Sequence, residues 1–322
     1  ATGILQYKTT DNNDISIDEG NFAGVTLNPN VLGQTTKQIN HLSQKAGSTT
    51  SLTTTIRQFS NALISSDKIH ISGFTSDYVF NDGGTTTCTV TSNSNQISST
   101  TSTDTSGTNR ILIVTLTGSI TNGNVDTIIT CNNIKIPTKV TSAINNILVK
   151  STDSSDVIRD QDTSFNLDNI IANDLSSITG VFSKDKAGEQ GTFTFGFTNF
   201  NPIPTNGKIV LTLPAGFDAS SVTYNSNSGI SGSITSSISN QVVTLTRQND
   251  GSNTIISAST SISIVIGSLI NPTISGATGI LQYKTTDNND ISIDEGNFAG
   301  VTLNPNVLGQ TTKQINHLSQ KA

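Results

Sequence analysis

Residues 1–46, Ala1 to Ala46, return letter for letter as residues 277–322, an offset of 276 residues. Self-similarity at a fixed spacing is the mark of a repeat architecture, so it constrains the fold before any local pattern is read. Drift under separate function would leave substitutions between the two stretches, and there are none. The sequence also contains no Met. The duplication fits either an excerpt from an array with a 276-residue period or a chain with a copied end, and an excerpt from a longer tandem array is expected because it explains both facts at once. A 276-residue period accommodates about two ordinary domains.

Within one period, apolar residues alternate with polar ones, the mark of half-buried β-strands. Phe193, Phe195 and Phe197 share one face of a run, and Ile209, Leu211 and Leu213 repeat the pattern until Pro214. Ile262, Ile264 and Ile266 follow, with Asn271-Pro272 as the stop. Turn signals separate the runs: Pro202 to Gly207, Asn227 to Gly232, and Asn249-Asp250-Gly251. No stretch carries a sustained 3.6-residue apolar period; Gln34 to Lys45 is the one place where a turn or two of helix is expected.

A weaker repeat lies inside the period. Asn146-Ile147-Leu148-Val149-Lys150-Ser151-Thr152-Asp153 parallels Gly279-Ile280-Leu281-Gln282-Tyr283-Lys284-Thr285-Thr286-Asp287, and each run reaches a second Asp, Asp156 or Asp290. Ile134-Lys135-Ile136-Pro137-Thr138 parallels Leu269-Ile270-Asn271-Pro272-Thr273, and Lys68-Ile69-His70-Ile71 parallels Lys208-Ile209-Val210-Leu211. The spacing, about half a period, is that of two diverged copies of one domain. On this reading residues 1–20 are the closing strands of a preceding domain B, 21–163 are domain A, 164–297 are domain B, and 298–322 open the next A.

Short strands at close spacing with Gly, Asn and Asp turns predict an all-β fold of antiparallel β-sandwiches. The run Gly207-Lys208-Ile209-Val210-Leu211-Thr212-Leu213-Pro214 with Gly216-Phe217, then Asn271-Pro272-Thr273, then Thr286-Asp287 with Ile293-Asp294, resembles the immunoglobulin-like repeats of giant secreted surface and fibre proteins. The resemblance covers nearly all of B and a blurred A, in which Ser72-Gly73-Phe74 replaces the strand-ending Pro-Ala-Gly-Phe. It implies an extended array of tandem sandwiches and no chemistry.

Composition agrees with that class. Hydrophobic residues make up 33 % and charged residues 12 %, both below ordinary globular usage, with Ser, Thr, Asn and Gly in their place. The net charge is −6 and the basic residues are scattered singly, which argues against nucleic-acid partners. No apolar run is long enough for a membrane-spanning helix.

Candidate sites are few. Cys88 and Cys131 both lie on strand-like runs of A, and a disulfide pinning two strands is the expectation for an extracellular chain; two buried thiols are the alternative. The turn Thr10-Asp11-Asn12-Asn13-Asp14 and its counterpart Thr152-Asp153-Ser154-Ser155-Asp156 are weak calcium candidates through Asp11, Asp14, Asp153 and Asp156. They lack the Gly and the terminal Glu of an EF-hand loop, and Asp is an ordinary turn residue, so no cofactor is the primary expectation. Lys8, Lys150 and Lys208 sit on strands, where a self-formed Lys–Asn bond would require an Asn and a carboxylate facing them in the core. His41 and His70 are the histidines of one period, with His70 expected to face solvent, and no hydrolase, P-loop or zincin motif is present; no enzyme is expected. No Asn-x-Ser/Thr acceptor occurs despite abundant Asn, Ser and Thr, as a bare surface built for lateral packing would require. Ser98 to Gly107 could still carry O-linked glycans.

The expected function is structural: a repeat unit of an extracellular filament, stalk or surface coat that self-assembles with identical repeats of the same or neighbouring chains. The alternative is the stalk of a large cell-surface adhesin, holding a distant binding domain away from the cell.

Overall fold

The computed structural model describes residues 5–22, 27–33, 37–108, 110–121 and 125–307. Among them every regular element is a strand. The stretch read as a helical turn is instead, over Gln38–His41, a strand paired with Thr49–Ile56. Within that strand Ile39 is buried while Asn40 points outward, a period of two rather than 3.6. Residues 34–36 lie outside the described residues.

The chain divides into two compact units. Unit 1 holds residues 1–42, 49–135 and 143–168; unit 2 holds residues 43–48, 136–142 and 169–322. The boundary expected between 163 and 164 falls inside a strand, Ile158–Leu167, and the division comes after Asp168. The ladder holds that strand in unit 1 to its end, because Ile144 pairs with Leu167.

Unit 1 is built on one hydrogen-bonded path. It runs Ser99–Asp104, Arg110–Leu116, Lys68–Phe74, Ile144–Thr152, Ile158–Leu167, Gln38–His41, Thr49–Ile56, Thr127–Lys135, Cys88–Ser92, Asn95–Ile97. All of these neighbours are antiparallel except Ile158–Leu167 with Gln38–His41, where Asn166 and Leu167 lie parallel to Gln38 and Ile39. Thr49–Ile56 shows that the path has one apolar face: Thr50, Leu52, Thr54 and Ile56 are buried while the residues between them are not. One apolar face on so long a path is covered only by folding it into two layers.

Unit 2 is a two-layer sandwich. One sheet runs Ser176–Phe182, Gln190–Thr198, Ser261–Ile270, Thr223–Ser228; the other runs Asn173–Asp174, Ser292–Phe298, Leu281–Thr286, Lys208–Thr212, Val242–Arg247, Ile234–Ser239. Phe193, Phe195 and Phe197 register against Ile266, Ile264 and Ile262, so the six form one apolar face. Ile209, Leu211, Val243, Leu245, Leu281 and Tyr283 supply the facing layer of the same core. Each such side chain contributes about 1.5–3 kcal/mol by leaving water.

The hairpin Leu5–Thr10 with Ser16–Phe22 forms a two-stranded sheet of its own. A lone hairpin has no covered face and is marginally stable in water.

Candidate functional site

Three hairpins carry the Thr-Asp-x-x-Asp turn, and each is held the same way. Asp11 Oδ1 accepts the backbone N–H groups of Asn13 and Ile15, both at 2.9 Å. Asp153 Oδ1 accepts those of Ser155 and Val157, both at 2.9 Å, and Asp287 Oδ1 those of Asn289 at 2.9 Å and Ile291 at 3.0 Å. The second Asp of each turn, Asp14, Asp156 or Asp290, adopts the left-handed conformation that closes it, with φ of 61°, 62° and 63°. Lys68 Nζ lies 2.9 Å from Asp156 and Lys208 Nζ 2.7 Å from Asp290. The four calcium candidates therefore shape turns: one oxygen of each first Asp is engaged by two backbone donors. Among the described residues no group of three or more His, Cys, Asp or Glu is placed to hold a metal ion.

Beyond each turn a further Asp does more. In unit 2, Asp294 is fully buried and accepts the backbone N–H groups of Phe200 at 3.2 Å and Asn201 at 3.0 Å, with the Asn201 side-chain amide at 2.8 Å. Its own N–H donates to Thr285 Oγ1 at 3.1 Å. Burial raises its pKa above the ordinary carboxylate value, and the three donors oppose that shift. Unit 1 repeats the device: Asp160, also fully buried, accepts the Asn61 amide at 3.0 Å and its backbone N–H at 3.4 Å, and its N–H donates to Ser151 Oγ at 3.2 Å. The first hairpin holds half of it. The Asp18 N–H donates to Thr9 Oγ1 at 3.1 Å, while the residue itself is exposed.

Identical letters thus meet opposite surroundings. Tyr7 is 50 % exposed and Tyr283 1 %; Ile17 is 63 % exposed and Ile293 2 %; Leu27 is 70 % exposed and Leu303 2 %. In unit 2 the strand Leu281–Thr286 pairs with Lys208–Thr212, and the Tyr283 ring packs at a tilt against Phe195 with its hydroxyl donating to the Thr179 carbonyl at 2.9 Å.

Cys88 and Cys131 stand directly opposite on adjacent strands of unit 1 and are joined, with 6 % and 1 % exposure. His41, buried in the same unit, hydrogen-bonds Asp168 through Nδ1 and lies 3.1 Å from the Tyr78 hydroxyl through Nε2. The His41 and Tyr78 side chains are enclosed, so this network works as an internal cross-link between the Gln38–His41 strand, the end of Ile158–Leu167 and Tyr78.

His70 departs from expectation: it is 8 % exposed, because the neighbouring strand carries Lys150 and Thr152, and the turn after it Asp156, over the face opposite Ile69 and Ile71. Lys8 lies 3.9 Å from Glu19 and Lys208 pairs with Asp290, so both reach carboxylates at the surface. Asp160, Asp294 and their Asn partners were missed in the sequence, although a Ser or Thr nine residues ahead of each Asp was a signal for them. So was Arg247, 1 % exposed, whose guanidinium ties together the carbonyls of Ile203 at 3.2 Å and of Pro204 and Thr254, each at 2.5 Å.

Among the described residues no helix is long and apolar enough to cross a membrane. No protein-family model matches the chain, and no curated protein sequence does. Solved structures similar to it include the C-terminal domain of the Streptococcus agalactiae antigen I/II polypeptide BspA, at 8 % identity and a TM-score of 0.29 over 94 % of this chain and 99 % of that one. The C-terminal domain of the Streptococcus pyogenes antigen I/II-family protein AspA follows at 9 % and 0.29, over 92 % of this chain and 100 % of that one. The N-terminal domain of the Streptococcus gordonii adhesin Sgo0707 gives 11 % and 0.29, over 78 % of this chain and 60 % of that one. Superpositions this loose carry no argument about function, and the all-β architecture rests on the strands themselves.

Proposed function

We propose that this chain is a stretch of a tandem-repeat structural protein of the extracellular space or cell surface, built from two diverged sandwiches per period. The observation that carries the reading is the open hairpin. Its sequence is buried against Lys208–Thr212 when repeated in unit 2, yet Tyr7, Ile17 and Asp18 stand in solvent in the first copy. A preceding copy of unit 2 supplies the missing strand, core and Asn donor. The paired devices Ser151–Asp160–Asn61 and Thr285–Asp294–Asn201 support descent of both units from one domain. On this reading the role is mechanical and non-enzymatic, each sandwich being a stiff element in a filament, stalk or coat, with neighbouring repeats as partners.

Dissolving native material in denaturant with reductant and measuring polypeptide mass tests the array. Species well above 33.8 kDa are expected, and a sharp band near that mass overturns it. Electron microscopy then separates a polymer with ordered lateral contacts from isolated strings, the appearance of an adhesin stalk.

A further inference from the structure

Two loops of unit 2 share the sequence Lys-Ala-Gly, and each receives a chain segment through the same hydrogen bonds. At Lys45-Ala46-Gly47, the Ala46 N–H donates to the Ile171 carbonyl at 2.9 Å, the Ile171 N–H to the Gln44 carbonyl at 2.9 Å, and the Gly47 N–H to the Pro137 carbonyl at 2.8 Å. At Lys186-Ala187-Gly188, the Ala187 N–H donates to the Asn304 carbonyl at 2.9 Å, the Asn304 N–H to the Asp185 carbonyl at 2.7 Å, and the Gly188 N–H to the Pro272 carbonyl at 2.9 Å. Both glycines are left-handed, with φ of 71° and 70°.

The loops differ in one respect. The Ala46 carbonyl accepts two side-chain amides, Asn173 at 2.7 Å and Asn201 at 3.0 Å. Among the described residues the Ala187 carbonyl accepts one, Asn306 at 3.3 Å, the counterpart of Asn173. A Cβ placed on Gly47 would overlap the Asn201 side chain, whereas among the described residues one on Gly188 would meet nothing within 4 Å. Among the described residues, the place that Asn201 fills in the first loop has no occupant in the second.

The repeat identifies what fills it. Asn173 and Asp174 pair in parallel with Asp294 and Glu295, and this brings the Asp294–Asn201 pair to Ala46. Asn306 and Val307 repeat Asn30 and Val31, which in unit 1 pair in parallel with Asp160 and Gln161. Asp160 holds Asn61 as Asp294 holds Asn201, and among the described residues the Asn61 amide nitrogen has that one acceptor for its two hydrogens.

Resting on the tandem reading, we propose that the Lys186-Ala187-Gly188 loop is a socket for Asn61 of the next repeat along the chain. Residues 303–307 are then paired on both sides, 303–304 with the unit before and 306–307 with the unit after. No free linker then remains after residue 304.

The test compares the 322-residue chain with the same chain continued by its own residues 47–168, using hydrogen exchange. Continuation is expected to slow exchange in residues 184–189 and 303–307 by about tenfold or more, toward the rates of residues 43–48 and 170–174. Gly188→Ala carries the same left-handed strain in both chains, so the expected loss of that added protection reports the socket alone. Unchanged exchange in 184–189 beside a folded added unit, or a gain that survives Gly188→Ala, overturns the proposal. Failure of the array itself is read separately, from the mass of the native polypeptide.

Discussion

Asn201 holds both oxygens of Asp294, its backbone N–H on Oδ2 at 3.0 Å and its side-chain amide on Oδ1 at 2.8 Å. Removing the acceptor strands buried donors, which costs about 2–3 kcal/mol. Asp294→Ala should therefore lower the melting of unit 2 by that amount. The same change at Asp18, exposed in the first hairpin, should stay within about 0.5 kcal/mol in this chain. Equal effects at the two positions in denaturant titrations would show that the buried pair does not stabilise unit 2.

The Cys88–Cys131 bond closes a separation of 43 residues inside unit 1. In the chain-entropy picture such a loop contributes about 3–4 kcal/mol. Reductant should shift the calorimetric transition of unit 1 downward and leave that of unit 2, which has no cysteine, in place. Recovery of both residues as free thiols by mass spectrometry of unreduced peptides would contradict this.

Burial lowers the His70 pKa below its ordinary value of 6.5, reinforced by Lys150 and Lys68 and opposed by Asp156. The unfolded chain then takes up the proton first as pH falls. Stability of unit 1 is complete above about 6.5 and declines as pH drops from there toward the folded-state pKa. His41 shifts in the same direction through burial, against the pull of Asp168. His70→Gln should flatten the dependence of unit 1 melting on pH between about 8 and 5 without abolishing it. An identical slope in the variant would rule His70 out as a contributor.

Each first Asp of the acidic turns gives one oxygen to two backbone N–H groups, and among the described residues no third carboxylate or imidazole is grouped with these turns to complete a cation site. Chelation by EDTA should leave melting and hydrodynamic size unchanged, and calorimetric titration with calcium should show no heat of binding. Stiffening or stabilisation by millimolar calcium would restore Asp11, Asp14, Asp153 and Asp156 as ligands.

Sequence alone determined the β class, the 46-residue duplication and three of the strand faces that line the core of unit 2. Alternation is a local signal, and Phe193, Phe195 and Phe197 bury the face their spacing prescribes. It could not say which polar residues leave water. His70 is covered only because strands remote in sequence flank Lys68–Phe74, and Asp294 is buried only because Asn201, 93 positions away, closes over it. Nor could it place the division after Asp168, which follows from how far the Ile144–Thr152 ladder holds its partner strand. Tyr7 and Tyr283 give the physical reason. The letters around them are the same, and one is half exposed while the other is buried, because burial depends on which distant strand lies alongside.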